Sequence, residues 1–248
     1  MAFDNNDTVL RTGSRADSLS IDVGLRAYML KVYNYMASGL ALTGIFAMFT
    51  ANSPMLAGML YQIQDGYIVG MTGMGWVVTL APIGLVLLLS MGINRLSAPA
   101  AQGVFWFYAA LMGLSLSSIF FLYTGTSITR VFFITAGTFA GMSLYGYTTK
   151  RDLSGFGSFL MMGLIGLIIA SVVNIFLQSS ALHFVISGVG VLVFVGLTAY
   201  DTQKIKSIYS EADASDTATK KAVMGALTLY LDFINLFIML LRLFGERR

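Results

Sequence analysis

The apolar residues of the chain fall into seven long runs, and short polar segments separate these runs. Each run covers about 20 residues, which is the length that a helix needs to cross the hydrocarbon core of a bilayer. The pattern predicts an all-α integral membrane protein, built as a bundle of seven transmembrane helices. The predicted helices cover residues 29–51, 71–93, 101–123, 128–147, 156–177, 182–204 and 222–245.

The last apolar run carries an acid, Asp232, near its middle. An ionised carboxylate at the centre of a spanning helix costs roughly 2.5 to 3.5 kcal/mol on insertion scales. The small, polar and charged residues of this run recur at steps of three or four, so they share one helical face. These residues are Gly225, Thr228, Asp232, Asn235, Met239 and Arg242. We therefore expect the C-terminal helix to be central, with Asp232 as a functional group and Asn235 as a supporting polar group.

A second acid, Asp201, lies near the end of the sixth run. The loop between the sixth and seventh helices makes them antiparallel neighbours, so both carboxyl groups are expected in the same half of the bundle. Two simpler interpretations remain open. In one, Asp201 pairs with Lys204 at the membrane interface; in the other, Asp232 is a structural hydrogen-bonding group that holds helices together. Asn174, near the end of the fifth helix, is a further supporting polar candidate.

The basic residues predict the orientation of the chain in the membrane. They occur in the N-terminal segment and in alternate connections, whereas the other connections have none. Those between helices are Arg95, Lys150, Arg151, Lys204, Lys206, Lys220 and Lys221. By the positive-inside rule, residues 1–25 form a flexible cytoplasmic tail, residues 26–248 form the membrane domain, and the C-terminus lies on the far side. Arg247 and Arg248 oppose this orientation, so a re-entrant final segment is the alternative to the full span that we favour.

Two local patterns give further expectations. The stretch 52–70 contains Pro54 and Asp65 and is expected to be a loop. In the fourth helix, Gly137 and Gly141 form a GxxxG pair, a small-residue face that favours the close approach of another helix.

The composition agrees with a membrane protein and excludes several functions. Hydrophobic residues make up 56% of the chain and charged residues only 11%, which is more apolar than a soluble domain of this length. With no cysteine and one histidine, the chain has no thiolate or histidine-rich metal site. We find no nucleophile with a base and no phosphate-binding loop, so neither enzymatic activity nor a bound cofactor is expected. The net charge of +3 gives no reason to expect nucleic acid; the expected partner is the lipid bilayer.

Four stretches of the chain resemble the Bax inhibitor-1 family of membrane proteins, including its bacterial members. The specific ones surround the two acids: LTAYDTQKI at 197–205 and LYLDFINLFIMLLRLFG at 229–245. Weaker matches are LRAYMLKVYNYMASGLALTG at 25–44 and VNIFLQSSALHFVISGVGVLVF at 173–194. Together they cover nearly the whole membrane portion in the right order.

The resemblance implies a seven-helix fold with a central last helix, in the inner membrane of a bacterium. It also implies a pH-sensitive calcium leak in which Asp201 and Asp232 form a proton-sensing pair. Arg95 occupies the position of an arginine that helps to close the path, and is a latch candidate. Some members carry a glutamate within the second helix, whereas residues 71–93 contain none here. The same resemblance implies an alternative function: a non-transporting interaction protein that regulates a membrane-bound AAA protease.

The chemistry of such a pair follows from its surroundings. Two carboxylates a few ångströms apart in a low-dielectric bundle do not both ionise cheaply, so they share one proton and titrate as a unit. Asp201 and Asp232 are also the tentative ligands of a passing calcium ion. Calcium takes six to eight oxygen ligands, so two aspartates make a transit or sensing point and not a tight site.

Overall fold

The computed structural model describes the backbone of residues 6–65 and 67–248, with side chains from Val23 onward. It contains the helices α1 Asn6–Asn52, α2 Pro54–Leu60, α3 Gly73–Gly92, α4 Ala98–Leu116, α5 Ile119–Leu122, α6 Gly125–Thr148, α7 Ser154–Leu177, α8 Ser180–Ser207 and α9 Ser215–Phe244, and the strands β1 Tyr61–Gln64 and β2 Tyr67–Met71. Seven helical spans in this part of the chain are long and apolar enough to cross a membrane. The predicted seven-helix membrane architecture is thereby confirmed.

The first helix begins earlier than its apolar run. Its spanning part covers Val23–Asn52, but α1 as a whole begins at Asn6. The tail predicted at residues 1–25 therefore continues helically into the first span from residue 6 onward, and residues 1–5 lie outside the described residues. The flexibility of this tail and its side of the membrane stay predictions.

The connection between the first two spans has regular structure that the sequence analysis missed. Residues 52–70 were expected to be a loop, but they form α2 and most of an antiparallel hairpin of β1 and β2. The side chain of Ser53 caps the N-terminus of α2. The side chain of Tyr61 anchors the hairpin, because its hydroxyl lies 3.0 Å from the Ser117 hydroxyl at the end of α4. With strands of four and five residues, the hairpin is too short to give a clear alternating pattern.

Helix α9 lies at the centre of the bundle. Of its most apolar window, 67% is buried, compared with 44% for α8 and 11% for α7. It packs against α1, α4, α6 and α8. The C-terminal helix is thus the central one, as predicted from the polar face that it has to keep away from lipid.

The closest approach between helices in the region of the acids is not at the predicted glycine pair. Gly137 and Gly141 point into open space, so the GxxxG prediction is wrong for this part of α6. Gly146, one turn from the end of the same helix, lies directly against the backbone of Ala199 in α8. A Cβ at that position would collide with the Ala199 carbonyl, so a glycine is required where α6 and α8 cross.

The C-terminal segment that follows α9 is fixed at the opposite end of the bundle from where α9 begins. The first turn of α9 is tied to the start of α4, where the amide of Ala98 donates to Asp216 at 2.9 Å. Beyond α9, the amide of Glu246 donates to the buried Ser127 hydroxyl at 2.9 Å, at the start of α6. Helix α9 therefore runs the full length of the bundle, which agrees with a complete span and not with a re-entrant segment.

The helix crossing gives the first prediction. The substitution Gly146→Ala should destabilise the fold by about 1 to 3 kcal/mol, because the added methyl group overpacks a backbone contact. The control is Gly137→Ala on the same helix, where the methyl group meets open space and should have little effect. Thermal unfolding of the two purified variants in detergent measures the difference, and equal melting temperatures would contradict the close crossing.

The C-terminal contact gives the second prediction. The ion pair of Arg130 and Glu246 is 2.9 Å long, but both side chains are more than half exposed, so the substitution Glu246→Gln should cost little. Ser127→Ala should cost about 0.5 to 1.5 kcal/mol, because it removes the hydrogen bond that the Glu246 amide donates. Thermal unfolding again separates the two, and a larger effect of Glu246→Gln would show that the ion pair is the main contact.

Candidate functional site

The site forms where the central helix carries its acid. Asp232 is 5% exposed and lies near the middle of α9. The residues next to it in the chain, Leu231 and Phe233, are apolar, and Phe233 packs edge to face on Phe132 and Phe139 of α6. The carboxyl group therefore lies in an apolar interior, where an isolated negative charge is expensive.

The structure brings Asp201 to this buried acid. Asp201 lies on α8, is half-buried, and its carboxyl group is within hydrogen-bonding range of the carboxyl group of Asp232. Helices α8 and α9 pack along each other as antiparallel neighbours, which is what allows two acids 31 positions apart to meet. The ionisable group that the Asp232 carboxyl contacts is therefore the carboxyl of another acid and not a basic side chain.

A hydrogen bond between two carboxyl groups requires a proton. An ionised carboxylate only accepts hydrogen bonds, whereas a protonated one also donates. The Oδ2 atom of Asp232 is buried and has no hydrogen-bond partner among the described residues. The favourable state of this geometry is therefore a pair that holds one proton between two acids.

Two hydroxyl residues of α8 lie close to Asp201 in the sequence, and their hydroxyl groups bond to groups other than the acids. The hydroxyls of Thr198 and Thr202 donate to carbonyls one turn back in α8. The Thr202 hydroxyl also lies 3.0 Å from that of Ser143 in α6, which in turn bonds the hydroxyl of Tyr33 in α1. This hydroxyl chain links three helices beside the acids, and the sequence analysis missed it. Hydroxyl residues are common in membrane helices, so their presence alone gives no specific signal.

Arg95 follows a helix other than the two that carry the acids. It is exposed in the turn that follows α3, and in the part of the chain that has described side chains none of the ion pairs includes it. The physical reason is that α3 packs mainly against α4, at the edge of the bundle, whereas the acids lie on α8 and α9. The cation that acts on Asp201 is Lys204, one turn further along α8. No described ion pair joins Arg95 to the acids, and its role as a latch stays a prediction.

The two supporting asparagines have local roles. Asn235 donates to the carbonyl of Leu231 at 2.8 Å, within α9. Asn174 accepts from the amide of Ser179 at 3.0 Å, so it closes the end of α7. Neither side chain bonds to Asp201 or Asp232. The functional candidates are consequently reduced to the two acids and their immediate neighbours.

The site offers few ligands for a metal ion. No group of three or more acidic, histidine or cysteine side chains comes together among the residues whose side chains are described. The two carboxyl groups supply four oxygen atoms at most, whereas calcium takes six to eight. Backbone carbonyls or water would have to complete a coordination shell, so the pair suits brief contact with a cation better than storage.

Comparison with known proteins gives consistent matches over almost the whole chain. The family model described as "Inhibitor of apoptosis-promoting Bax1" matches residues 25–248. A protein of Rickettsia prowazekii described as uncharacterized is 52% identical over 229 residues, 92% of this chain and 93% of the relative. The inner membrane protein YbhL of Escherichia coli is 50% identical over 237 residues, 94% of this chain and 98% of the relative. A protein of Caulobacter vibrioides is 47% identical over 235 residues, 94% of each chain.

The direct contact between the acids can be measured with a double-mutant cycle. We expect Asp201→Ala and Asp232→Ala to be non-additive in the free energy of unfolding, with a coupling of about 0.5 to 3 kcal/mol, as for other residues in contact. The control cycle combines Asp216→Ala with Asp232→Ala, two acids of α9 that are sixteen positions apart. That pair should be additive within about 0.5 kcal/mol. Additivity in both cycles would rule out an energetic link between Asp201 and Asp232.

Proposed function

The chain belongs to the Bax inhibitor family of membrane proteins, and from this membership and the buried acids we propose that it is a pH-sensitive calcium leak channel. In this proposal, the proton shared by Asp201 and Asp232 controls the permeability. The site is in an integral membrane protein, and the relative YbhL is named an inner membrane protein, so we assign this chain to the inner membrane as well.

One observation carries the proposal. Two acids from different helices face each other in the interior of the bundle, and the more buried one has a carboxyl oxygen without a hydrogen-bond partner among the described residues. A purely structural contact would be satisfied by an amide or a hydroxyl group, at no cost in buried charge. An acid pair instead makes the packing of α8 against α9 depend on a proton.

The magnitude of this effect is large enough for a switch. Two unit charges of the same sign about 4 Å apart repel by about 4 kcal/mol at an effective dielectric constant of about 20. That free energy changes an equilibrium between two helix packings by about a thousandfold. The protonated pair and the ionised pair therefore favour different arrangements of α8 and α9, or a different occupancy by a cation.

Calcium is the proposed ion because the family resemblance suggests it and because carboxylate oxygens are ligands that it prefers. Lys204 is the basic group that acts on Asp201, and it would oppose a cation at the pair. We therefore give Lys204, and not Arg95, the role of the positive charge that competes for Asp201.

Calcium flux into liposomes tests the proposal. Purified protein is reconstituted into vesicles that contain a calcium-sensitive dye, and influx is measured over a series of pH values. We expect a pH-dependent flux in the unmodified protein and no pH dependence in Asp201→Asn or Asp232→Asn, because an amide does not titrate. Glu211→Gln removes an exposed acid from the loop before α9 and should leave the pH dependence unchanged.

An unchanged pH profile in both Asp→Asn variants would end the assignment of the acids. A complete absence of flux at every pH would instead favour the alternative, a non-transporting membrane protein that regulates a membrane-bound AAA protease. In that case, the acid pair would serve to fix the packing of α8 on α9.

A further inference from the structure

A large cavity lies between α1 and α6, within the spanning part of the bundle. Its volume is about 580 Å³, in the range of roughly 300 to 1,000 Å³ that is typical of small-molecule sites. Phe233 of α9, the residue that follows Asp232, contributes to its wall. The cavity therefore reaches from the outside of the bundle to the central helix. We call it the α1–α6 groove.

The walls of the groove are apolar, and the groove is open at the side of the bundle. Small residues line both helices, with Ala37 on α1 and Ala136 and Ala140 on α6. The rim residues Leu30 and Leu144 are 53% and 63% exposed. Because these positions lie in spans that cross the membrane, lipid hydrocarbon is the medium outside this opening.

Two hydroxyl groups in the wall of the groove already have hydrogen-bond partners. Tyr33 and Ser143 line the groove, but their hydroxyls bond to each other at 2.5 Å. A water-soluble ligand would find few free partners along this wall. The inside of the groove therefore fits a hydrocarbon chain.

One end of the groove carries positive charge. Arg26 lines this end and is exposed. Tyr147 also lines it, and the Lys206 ammonium group lies 2.8 Å from the Tyr147 carbonyl and 5.1 Å from the centre of its ring. This is the basic end of the bundle, where Lys150 and Arg151 also lie. An apolar groove with basic residues at one end is complementary to a lipid with an anionic headgroup.

We propose that the α1–α6 groove binds one anionic phospholipid, with an acyl chain between the helices and the phosphate beside Arg26. A helix from another protein does not fit, since ten residues of helix with a diameter of about 10 Å occupy roughly 1,200 Å³. A zwitterionic lipid would fill the groove, but its headgroup has no net negative charge to neutralise the basic end of the groove.

The site adds a lipid contact to the helix that carries the buried acid. Phe233 faces the groove while Asp232, one position earlier, faces Asp201. A bound acyl chain would support the outer side of α9 at the level of the pair. Binding of the lipid does not depend on whether the protein conducts cations, so the two proposals are tested separately.

Native mass spectrometry of the full-length protein tests the groove. The protein is purified in detergent and incubated with an equal mixture of phosphatidylglycerol and phosphatidylethanolamine of the same chain length. We expect one retained phosphatidylglycerol per chain. The substitution Ala140→Phe should abolish this retention by filling the groove, whereas Gly141→Phe on the next position of α6, which points into open space, should keep it. Equal retention in both variants would overturn the proposal.

The headgroup contact has its own test, which does not depend on filling the groove. Arg26→Gln should reduce the preference for phosphatidylglycerol over phosphatidylethanolamine by about fivefold, as expected for one basic group at an anionic membrane surface. Arg95→Gln, an exposed arginine that does not line the groove, should keep the preference. Retention of both lipids without preference in the unmodified protein, or equal preference in the two arginine variants, would contradict an anionic lipid.

Discussion

The arrangement of the bundle depends on keeping the carboxyl group of Asp232 away from lipid. A charge or a proton-bearing acid at that depth is tolerated only inside a protein interior. Helix α9 meets this condition by being the most buried span, with α1, α4, α6 and α8 around it. The most exposed span, α7, has no acidic or basic residue within it and packs mainly against α8. The two spans that carry the acids, α8 and α9, are thus the two most buried ones.

The central helix is fixed at both ends, and its middle carries Asp232. At the basic end, Lys31 of α1 donates to Thr219 at 2.7 Å, and Asp216 accepts from the start of α4. At the other end, Glu246 is bonded to Ser127 of α6. Because the ends are tied to three different helices, a change in charge at Asp232 acts on a helix that cannot simply slide. The expected response is a local change in how α8 packs against α9.

The sequence alone was sufficient for the spans and for the central position of the last helix, because both follow from long-range patterns of hydrophobicity. It was also sufficient to suggest that Asp201 and Asp232 meet, since antiparallel neighbours bring these positions into the same half of the bundle. It was not sufficient for contacts that depend on the direction of a helix face. Gly137 and Gly141 have the right spacing for packing but point outward, while Gly146 makes the close crossing. Arg95 has the right position along the chain, but its helix lies at the edge of the bundle.

Helix α6 lies between the acid-bearing helix α8 and the groove. One of its faces packs closely on α8, whereas the neighbouring face leaves a groove towards α1. One face carries Ser143 and Gly146 and lies close against α8, where the Ser143 hydroxyl meets Thr202, the residue after Asp201. The neighbouring face carries small side chains such as Ala140 and leaves a groove towards α1. Ser143 belongs to both faces, because its side chain also lines the groove and its hydroxyl bonds that of Tyr33 on α1. Hydrogen bonds from Tyr33 through Ser143 to Thr202 therefore connect the wall of the groove with the residue that follows Asp201 in α8.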